Sequence, residues 1–301
     1  MTLTNNTFKV ILLRHGQSEL NHENIFCGWI DAQLTEKGKH QARHAADLIK
    51  DYCEEKNVPL PQIGFTSRLV RTEQTMEVML DELHLKGSFQ IIAGLDCKIE
   101  DEFKKDSVKV LQTWRLNERH YGSWQGQRKP DILKEYGKEK YMYIRRDYQG
   151  KPPSADLKRE MIQEVDDQGS STGYDFKEPN RRLKYGLEEE AGDILPDSES
   201  LCDVVKRLEP FLENVVLKLS RDYNLDSCLM VGHGSSVRSI LKVLQKISDD
   251  DIKNVDIPNA TPLVVELEKG TFKFINRYYL DPETAKIDAQ KVRQEGFQNN
   301  P

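Results

Sequence analysis

The sequence predicts an α/β fold with a mostly parallel central sheet covered by helices on both faces. Two observations carry that expectation. Short apolar runs rich in β-branched residues each stop at a polar cluster, and amphipathic helical periods lie between them. No internal repeat competes with this reading.

The first run, Phe8 to Leu13 (FKVILL), ends at Arg14; its length and composition favour a buried strand over a helix. Ala42, Ala45, Ala46, Ile49, Tyr52 and Cys53 then share one helical face. Ile63 to Phe65 is a second strand candidate leading into Thr66 and Ser67. Met76, Met79, Leu80 and Leu83 mark the helix after it, with the methionines as core residues. The clearest amphipathic helix carries Leu201, Val204, Val205, Leu208, Phe211, Leu212, Val215 and Val216, introduced by Pro196-Asp197-Ser198 as a capping segment. Ser227 to Val231 (SCLMV) is the late strand.

Two regions break the alternation. Gly94 to Val110 is charged and patternless, and Gly150 to Leu195 is polar, with Pro152-Pro153 and Gly169-Ser170-Ser171. Both read as surface insertions, the second long enough for a lid or a disordered loop. The expectation is one domain over residues 1–285, interrupted at about 94–110 and 150–195, followed by a C-terminal tail over 286–301 that is free to move.

Bulk properties narrow the function classes. A charged fraction of 31% with 37% hydrophobic residues suits a soluble domain with polar insertions, because a disordered chain would lack the apolar runs. No segment approaches the roughly 20 apolar residues that span a bilayer, and the first residues carry no basic-then-apolar secretory pattern. Five scattered cysteines make neither a disulfide framework nor a metal spacing and point to the reducing cytoplasm. A net charge of −6 argues against nucleic acid as a partner. An anion would need basic residues gathered locally against that sign.

In an open parallel sheet, ligands bind beyond the carboxyl ends of the strands. Arg14-His15-Gly16 follows the first strand and Gly232-His233-Gly234 follows the late one, which places both histidines on one edge. Either alone could be a structural histidine. As a pair they suit zinc poorly, since no third ligand sits at metal spacing and Arg14 repels a cation. Nucleophilic catalysis suits them better: a neutral imidazole attacks phosphorus, and Arg14 and Arg71 neutralise the charge on the phosphoryl oxygens. Arg71 falls in the first turn of the helix after Ile63 to Phe65, where a solvated arginine would also be ordinary.

Trp114 to Gly122 mixes acid, base and aromatic residues without periodicity. As a plain loop it would be solvated; as a site it offers Glu118 as general acid and base and Arg119 as an anion clamp. Lys129 and the pair Arg145-Arg146 add to a basic pocket, although adjacent arginines alone are usually surface charge.

The run Arg14-His15-Gly16-Gln17-Ser18-Glu19, the stretch LNERHYG from Leu116 to Gly122, then Gly126, Lys129, Arg145-Arg146 and Ile257-Pro258 to Leu263-Val264 carry a resemblance spanning nearly the whole chain. The sequence resembles the cofactor-dependent phosphoglycerate mutases of the histidine phosphatase superfamily. The resemblance implies a three-layer α/β sandwich that interconverts 3- and 2-phosphoglycerate through phosphohistidine at His15, primed by 2,3-bisphosphoglycerate and without a metal. It implies that Arg14 and Arg71 hold the phosphoryl group, that His233 stabilises it in flight, and that Glu118 moves the substrate proton. Ser18, Asn21, Cys27, Gly28, Arg119, His120, Tyr121, Lys129, Arg145, Arg146, Gly234 and Ser235 match positions around the substrate, a small phosphorylated molecule. A homo-oligomer stays open.

Three departures from the family's pattern stand out: Leu20 in place of tryptophan, Cys27 in place of threonine or serine, and Ser235 in place of asparagine. The insertions fall where the family is short. A phosphohydrolase, or a weakly active or inactive paralogue with an interaction or regulatory role, is the alternative function.

Overall fold

The computed structural model describes residues 6–97, 99, 103, 106–157, 177–295 and 297. Seven strands form one sheet: β1 (Thr7–Arg14), β2 (Ile63–Thr66), β3 (Lys86–Ile91), β4 (Ser107–Gln112), β5 (Ser227–Gly232), β6 (Leu263–Glu268) and β7 (Phe274–Tyr279). Their order is β3-β4-β2-β5-β1-β6-β7. The pairs from β3 through β1 are parallel, while β6 and β7 add to the β1 edge antiparallel.

Alternation along β1 sorts its side chains to two cores. Phe8, Val10 and Leu12 join Leu208, Phe211 and Ile240 on one face. Ile11 and Leu13 join Ala42, Ala46, Ile49, Met76 and Met79 on the other. Because both faces are buried, the central strands read as continuous apolar runs, and the fold is three layers deep.

The helices behind those cores follow the expected periods. Glu36–Lys56 buries Ala42, Ala45, Ala46, Ile49, Tyr52 and Cys53, starts on a Thr35 cap and ends on Asn57 in a left-handed conformation. Val70–Glu82 buries Met76, Met79 and Leu80. The late helix begins at Leu201, capped by Ser200 with Asp203 answering it, two residues beyond the expected capping segment. It runs through Pro210 and widens into a π turn over Leu212–Leu217.

The structure departs from the sequence expectations in three places. Ser107–Gln112, overlapping the supposed insertion at 94–110, is β4, an interior strand with Val108, Val110 and Leu111 buried. Its Lys109 and the charges before it mask a period-two pattern. Of the 150–195 region, residues 158–176 lie outside the described residues, so a lid or disordered loop there is untouched. Its later flank lies at the surface but turns one set of side chains inward: Glu178, Arg181, Tyr185 and Glu188 are buried, and Tyr185 packs against Trp29 at 5.3 Å. Finally, the boundary at 285/286 falls inside a helix, Pro282–Gln294, whose last turn is held by Arg145 through the Val292 carbonyl at 3.1 Å. Over its described residues, the tail is an ordered element.

Candidate active site

Register places the histidines. Arg14 pairs with Gly232 across the parallel β1 and β5, so His15 and His233 leave the sheet side by side. Their rings lie 5.0 Å apart at 61°. Gly16 is required just after His15: a Cβ there would come within 2.3 Å of the Gly38 carbonyl.

The surroundings of His15 fix its tautomer. Nδ1 sits 2.6 Å from the Gly16 carbonyl, which can only accept, so Nδ1 carries the proton. Nε2 accepts from Arg71 Nε at 3.2 Å and is therefore the unprotonated nitrogen. Burial, then Arg71, then Arg14, push the pKa of His15 well below its usual value. The ring is neutral at neutral pH, as a nucleophile requires.

Arg71 is itself buried and fixed, donating to the carbonyls of Ile30 at 2.9 Å and Gly28 at 2.8 Å. Gly28 has φ +51°, and a Cβ there would meet Gln125 Oε1 at 2.1 Å. Arg14 donates to the Ile257 carbonyl at 3.0 Å, while its Nε has no partner among the described residues. His233 Nε2 meets Ser67 Oγ at 2.8 Å, and its buried Nδ1 also lacks a partner. Burial first, then Arg71, His15 and Arg14, hold His233 neutral too.

Glu118 reaches the same cleft. Its Oε1 accepts from the backbone N–H of Arg119 at 2.7 Å and of Ser235 at 3.2 Å. The second donor is at the N-terminal end of the helix Gly234–Gln245. The peptide behind Glu118 is clamped, its carbonyl accepting from Trp29 Nε1 at 2.7 Å and Arg207 Nη2 at 3.1 Å. Glu199 grips Arg207 and takes the His120 N–H at 2.9 Å.

Most residues expected around a substrate do line one cleft: Arg14, His15, Asn21, Cys27, Gly28, Arg71, Glu118, Tyr121, Lys129, Arg145, Arg146, Gly234 and Ser235. Cys27 donates to the Ile30 carbonyl at 3.4 Å, and burial pushes its thiol pKa up. Gly234 brings the backbone close, a Cβ there lying 3.7 Å from Glu118 and 3.8 Å from Arg14.

Four expected residues stand behind this lining. His233 lies beneath it. Ser18 caps the short helix Glu19–His22, bonding reciprocally with Asn21. Arg119, expected as an anion clamp, donates instead to the carbonyls of Ile144, Gly150 and Arg145 and stacks on Tyr121, so it anchors the Arg145-Arg146 helix end. His120 is fully buried; its Nδ1 accepts from the Gly122 N–H, and its Nε2 donates to Glu178 at 2.7 Å.

Sequence reasoning missed Arg238 and Glu295, which also line the cleft. Arg238 is one helical turn past Ser235, a spacing that could have flagged it. It donates to the Ile252 and Arg146 carbonyls, and burial, then Arg146 and Arg119, pull its pKa down to about 9. Glu295 had no sequence signal: its partners Lys129 and Arg145 are 166 and 150 residues away. Asn259, which donates to the His15 carbonyl at 2.9 Å, was likewise unread.

Six cationic side chains therefore face two carboxylates in one cleft of an acidic protein. The arrangement can hold a polyanion, attack its phosphorus with His15, and move a proton through Glu118. Among the described residues, no group of three or more His, Cys, Asp or Glu is placed to hold a metal ion.

Comparison with known proteins agrees with this chemistry. The histidine phosphatase superfamily (branch 1) model matches residues 10–96 and 167–278. The chain is 66% identical to phosphoglycerate mutase 3 of Saccharomyces cerevisiae, over 100% of both chains. It is 37% identical to a 2,3-bisphosphoglycerate-dependent phosphoglycerate mutase of Bifidobacterium longum, over 96% of this chain and 99% of that one. A solved phosphoglycerate mutase from Bacillus anthracis shares the fold, with TM-score 0.56 at 16% identity over 95% of this chain and 97% of that one. With that length of similarity and a histidine pair set by strand register, the chain belongs to the phosphoglycerate mutase family of the histidine phosphatase superfamily.

Proposed function

We propose that this protein interconverts 3-phosphoglycerate and 2-phosphoglycerate through a phosphohistidine at His15, and serves glycolysis and gluconeogenesis. The observation that carries the reading is the His15 tautomer: a neutral ring whose unprotonated Nε2 faces the Arg71 guanidinium, with the Arg14 charge also acting on it.

The cleft suits 2,3-bisphosphoglycerate as primer. Arg14 Nε and His233 Nδ1 are buried polar atoms without partners among the described residues, and six cations line the cleft. Arg14, Arg71 and His233 would hold one phosphoryl group, with Lys129, Arg145, Arg146 and Arg238 left for the other acidic groups. When bound, that molecule supplies the phosphoryl group that loads His15.

The chain's own residues do the rest. Nε2 attacks in line while Nδ1 keeps its proton on the Gly16 carbonyl, so the ring needs no separate base. Arg71 and Arg14 neutralise the equatorial oxygens as charge spreads in the transition state. His233 donates to the same oxygens through Nδ1 when Ser67 donates to its Nε2. Glu118 takes the proton from the attacking substrate hydroxyl and returns it on the opposite transfer. His120 and Arg119 act at one remove, holding the Glu118 loop and the Arg145 helix end.

The five cysteines are free, four of them buried, which supports the reducing cytoplasm as the working compartment. No helix among the described residues is long and apolar enough to cross a membrane.

Purified protein given 3-phosphoglycerate and catalytic 2,3-bisphosphoglycerate should form 2-phosphoglycerate, read by coupling to enolase. Release of inorganic phosphate without 2-phosphoglycerate would make it a phosphohydrolase instead.

A further inference from the structure

Strand register places His15, but Glu118 has no ladder to place it. The chain leaves a tight helical turn at Leu116 and runs through Asn117 and Glu118 outside any strand. The aim of the Glu118 carboxylate therefore depends on tethers from side chains around the loop.

Two of those tethers converge on Tyr185, between the short helices Arg181–Lys184 and Gly186–Glu190. Tyr185 is fully buried and is not among the residues lining the cleft. Its hydroxyl accepts a hydrogen bond from Asn117 Nδ2 at 3.0 Å. Its ring packs on Trp29, whose Nε1 donates to the Glu118 carbonyl at 2.7 Å. One side chain thus steadies both the residue before Glu118 and the indole behind it.

Chemistry fixes the direction of the Asn117 bond. Oδ1 of the same amide lies 2.9 Å from the Arg68 backbone N–H, which can only donate, so Nδ2 faces the tyrosine. Burial, then Asp31 and Glu178, push the Tyr185 pKa well above its usual value, and the hydroxyl stays neutral. Asn117 thereby ties the Glu118 loop to Arg68, next to the Ser67 that meets His233.

Tyr185 is itself held from behind. The Arg68 guanidinium lies over its ring at 5.8 Å and pairs with buried Glu188 at 2.7 Å. Lys184 pairs with Asp31, whose other oxygen accepts the Val70 N–H that opens the Arg71 helix.

We propose that Tyr185 is a positioning residue for proton transfer, acting through Asn117 to keep the Glu118 carboxylate aimed at the substrate hydroxyl. This role rests on the mutase reading of Glu118 as proton carrier. A buried amide that loses its acceptor is left unsatisfied and turns toward another partner. A catalytic group displaced by about 1 Å costs about a hundredfold in rate.

Tyr185→Phe removes the hydroxyl and keeps the ring on Trp29 and under Arg68. Its kcat for forming 2-phosphoglycerate should fall about ten- to a hundredfold. KM for 3-phosphoglycerate should stay within about twofold, because the tyrosine touches no substrate. A merely structural tyrosine would lower the urea midpoint and leave kcat alone. In a Glu118→Gln background the same substitution should cost no more than about twofold, since the group it aims is already gone. Asn117→Ala cuts the same tie from its other end and should lower kcat as well. A Tyr185→Phe kcat within about twofold of the parent, or an equal loss with and without the Glu118 carboxylate, overturns the proposal. A parent that forms no 2-phosphoglycerate sinks the mutase reading and this role with it, whereas a parent that turns over confines any failure to Tyr185.

Discussion

At His15 one carbonyl and one guanidinium do what sequence could not: they assign Nδ1 to carry the proton and Nε2 to react. The division of labour with Glu118 follows, because a ring that keeps its own proton cannot serve the substrate hydroxyl. Glu118→Gln should therefore still accept a phosphoryl group on His15, seen by rapid quench, while steady-state turnover falls about 10²–10⁴-fold. Equal loss in both steps would remove Glu118 as the proton carrier. Cys27 and Ser235 are the two cleft residues that differ from the family pattern. Cys27 donates weakly to the same Ile30 carbonyl that steadies Arg71. A hydroxyl there and an amide at 235 make stronger contacts, each worth about 0.5–1.5 kcal/mol. Each of Cys27→Thr and Ser235→Asn should raise mutase turnover about two- to tenfold, and the double variant more, measured with saturating primer. Unchanged turnover would show that the altered residues do not limit the enzyme.

Among the elements, what could be read from sequence was the set of segments with a clear apolar run or period. The strands at Phe8, Ile63 and Ser227 announce themselves by short, nearly unbroken apolar runs, and the helix at Leu201 by its apolar face. The residues at the carboxyl ends of those strands, His15 and His233, were legible for the same reason. β4 hid because Ser107 and Lys109 alternate with Val108 and Val110 after a charged stretch, and β3 because it is an edge strand with mostly exposed side chains. The later flank of the 150–195 region hid for another reason: its role is set by partners far along the chain. There Glu178 bonds to His120 and to Arg181 Nε, both at short range and out of water. Burial opposes its charge, yet His120 and Arg181 overcome that and hold its pKa below the usual carboxylate value. Glu178→Ala leaves the Arg181 charge buried and the His120 N–H unpaired, a loss of about 3–5 kcal/mol for a broken buried pair. The urea midpoint should drop accordingly, and turnover should fall with it, because His120 belongs to the Glu118 loop. A midpoint within error of the parent would mean that this flank is not part of the folded core.

For the whole molecule, the two buried histidines couple catalysis to stability. Both have folded pKa values depressed below the unfolded value near 6.5, so the unfolded chain binds more protons as pH falls through that value. Their contribution is complete above about pH 7.5 and is lost progressively as pH falls through about 6.5, at a slope that approaches about 1.4 kcal/mol per pH unit for each histidine below about pH 5.5. Urea unfolding between about pH 5.5 and 7.5 should show stability falling ever more steeply toward that slope, and His233→Asn should remove one proton's share. A flat profile would mean that the histidines are not held neutral. An acidic chain thus builds a basic cleft from strand ends, a loop and its own C-terminus, for one purpose: loading and unloading His15. The most direct test is to mix the protein with radiolabelled 2,3-bisphosphoglycerate, quench, and measure protein-bound label that is stable in alkali and lost in acid. One label per chain, absent in His15→Ala and discharged by 3-phosphoglycerate, is the predicted result. Label that persists undiminished in His15→Ala, or never forms in the parent, contradicts the account.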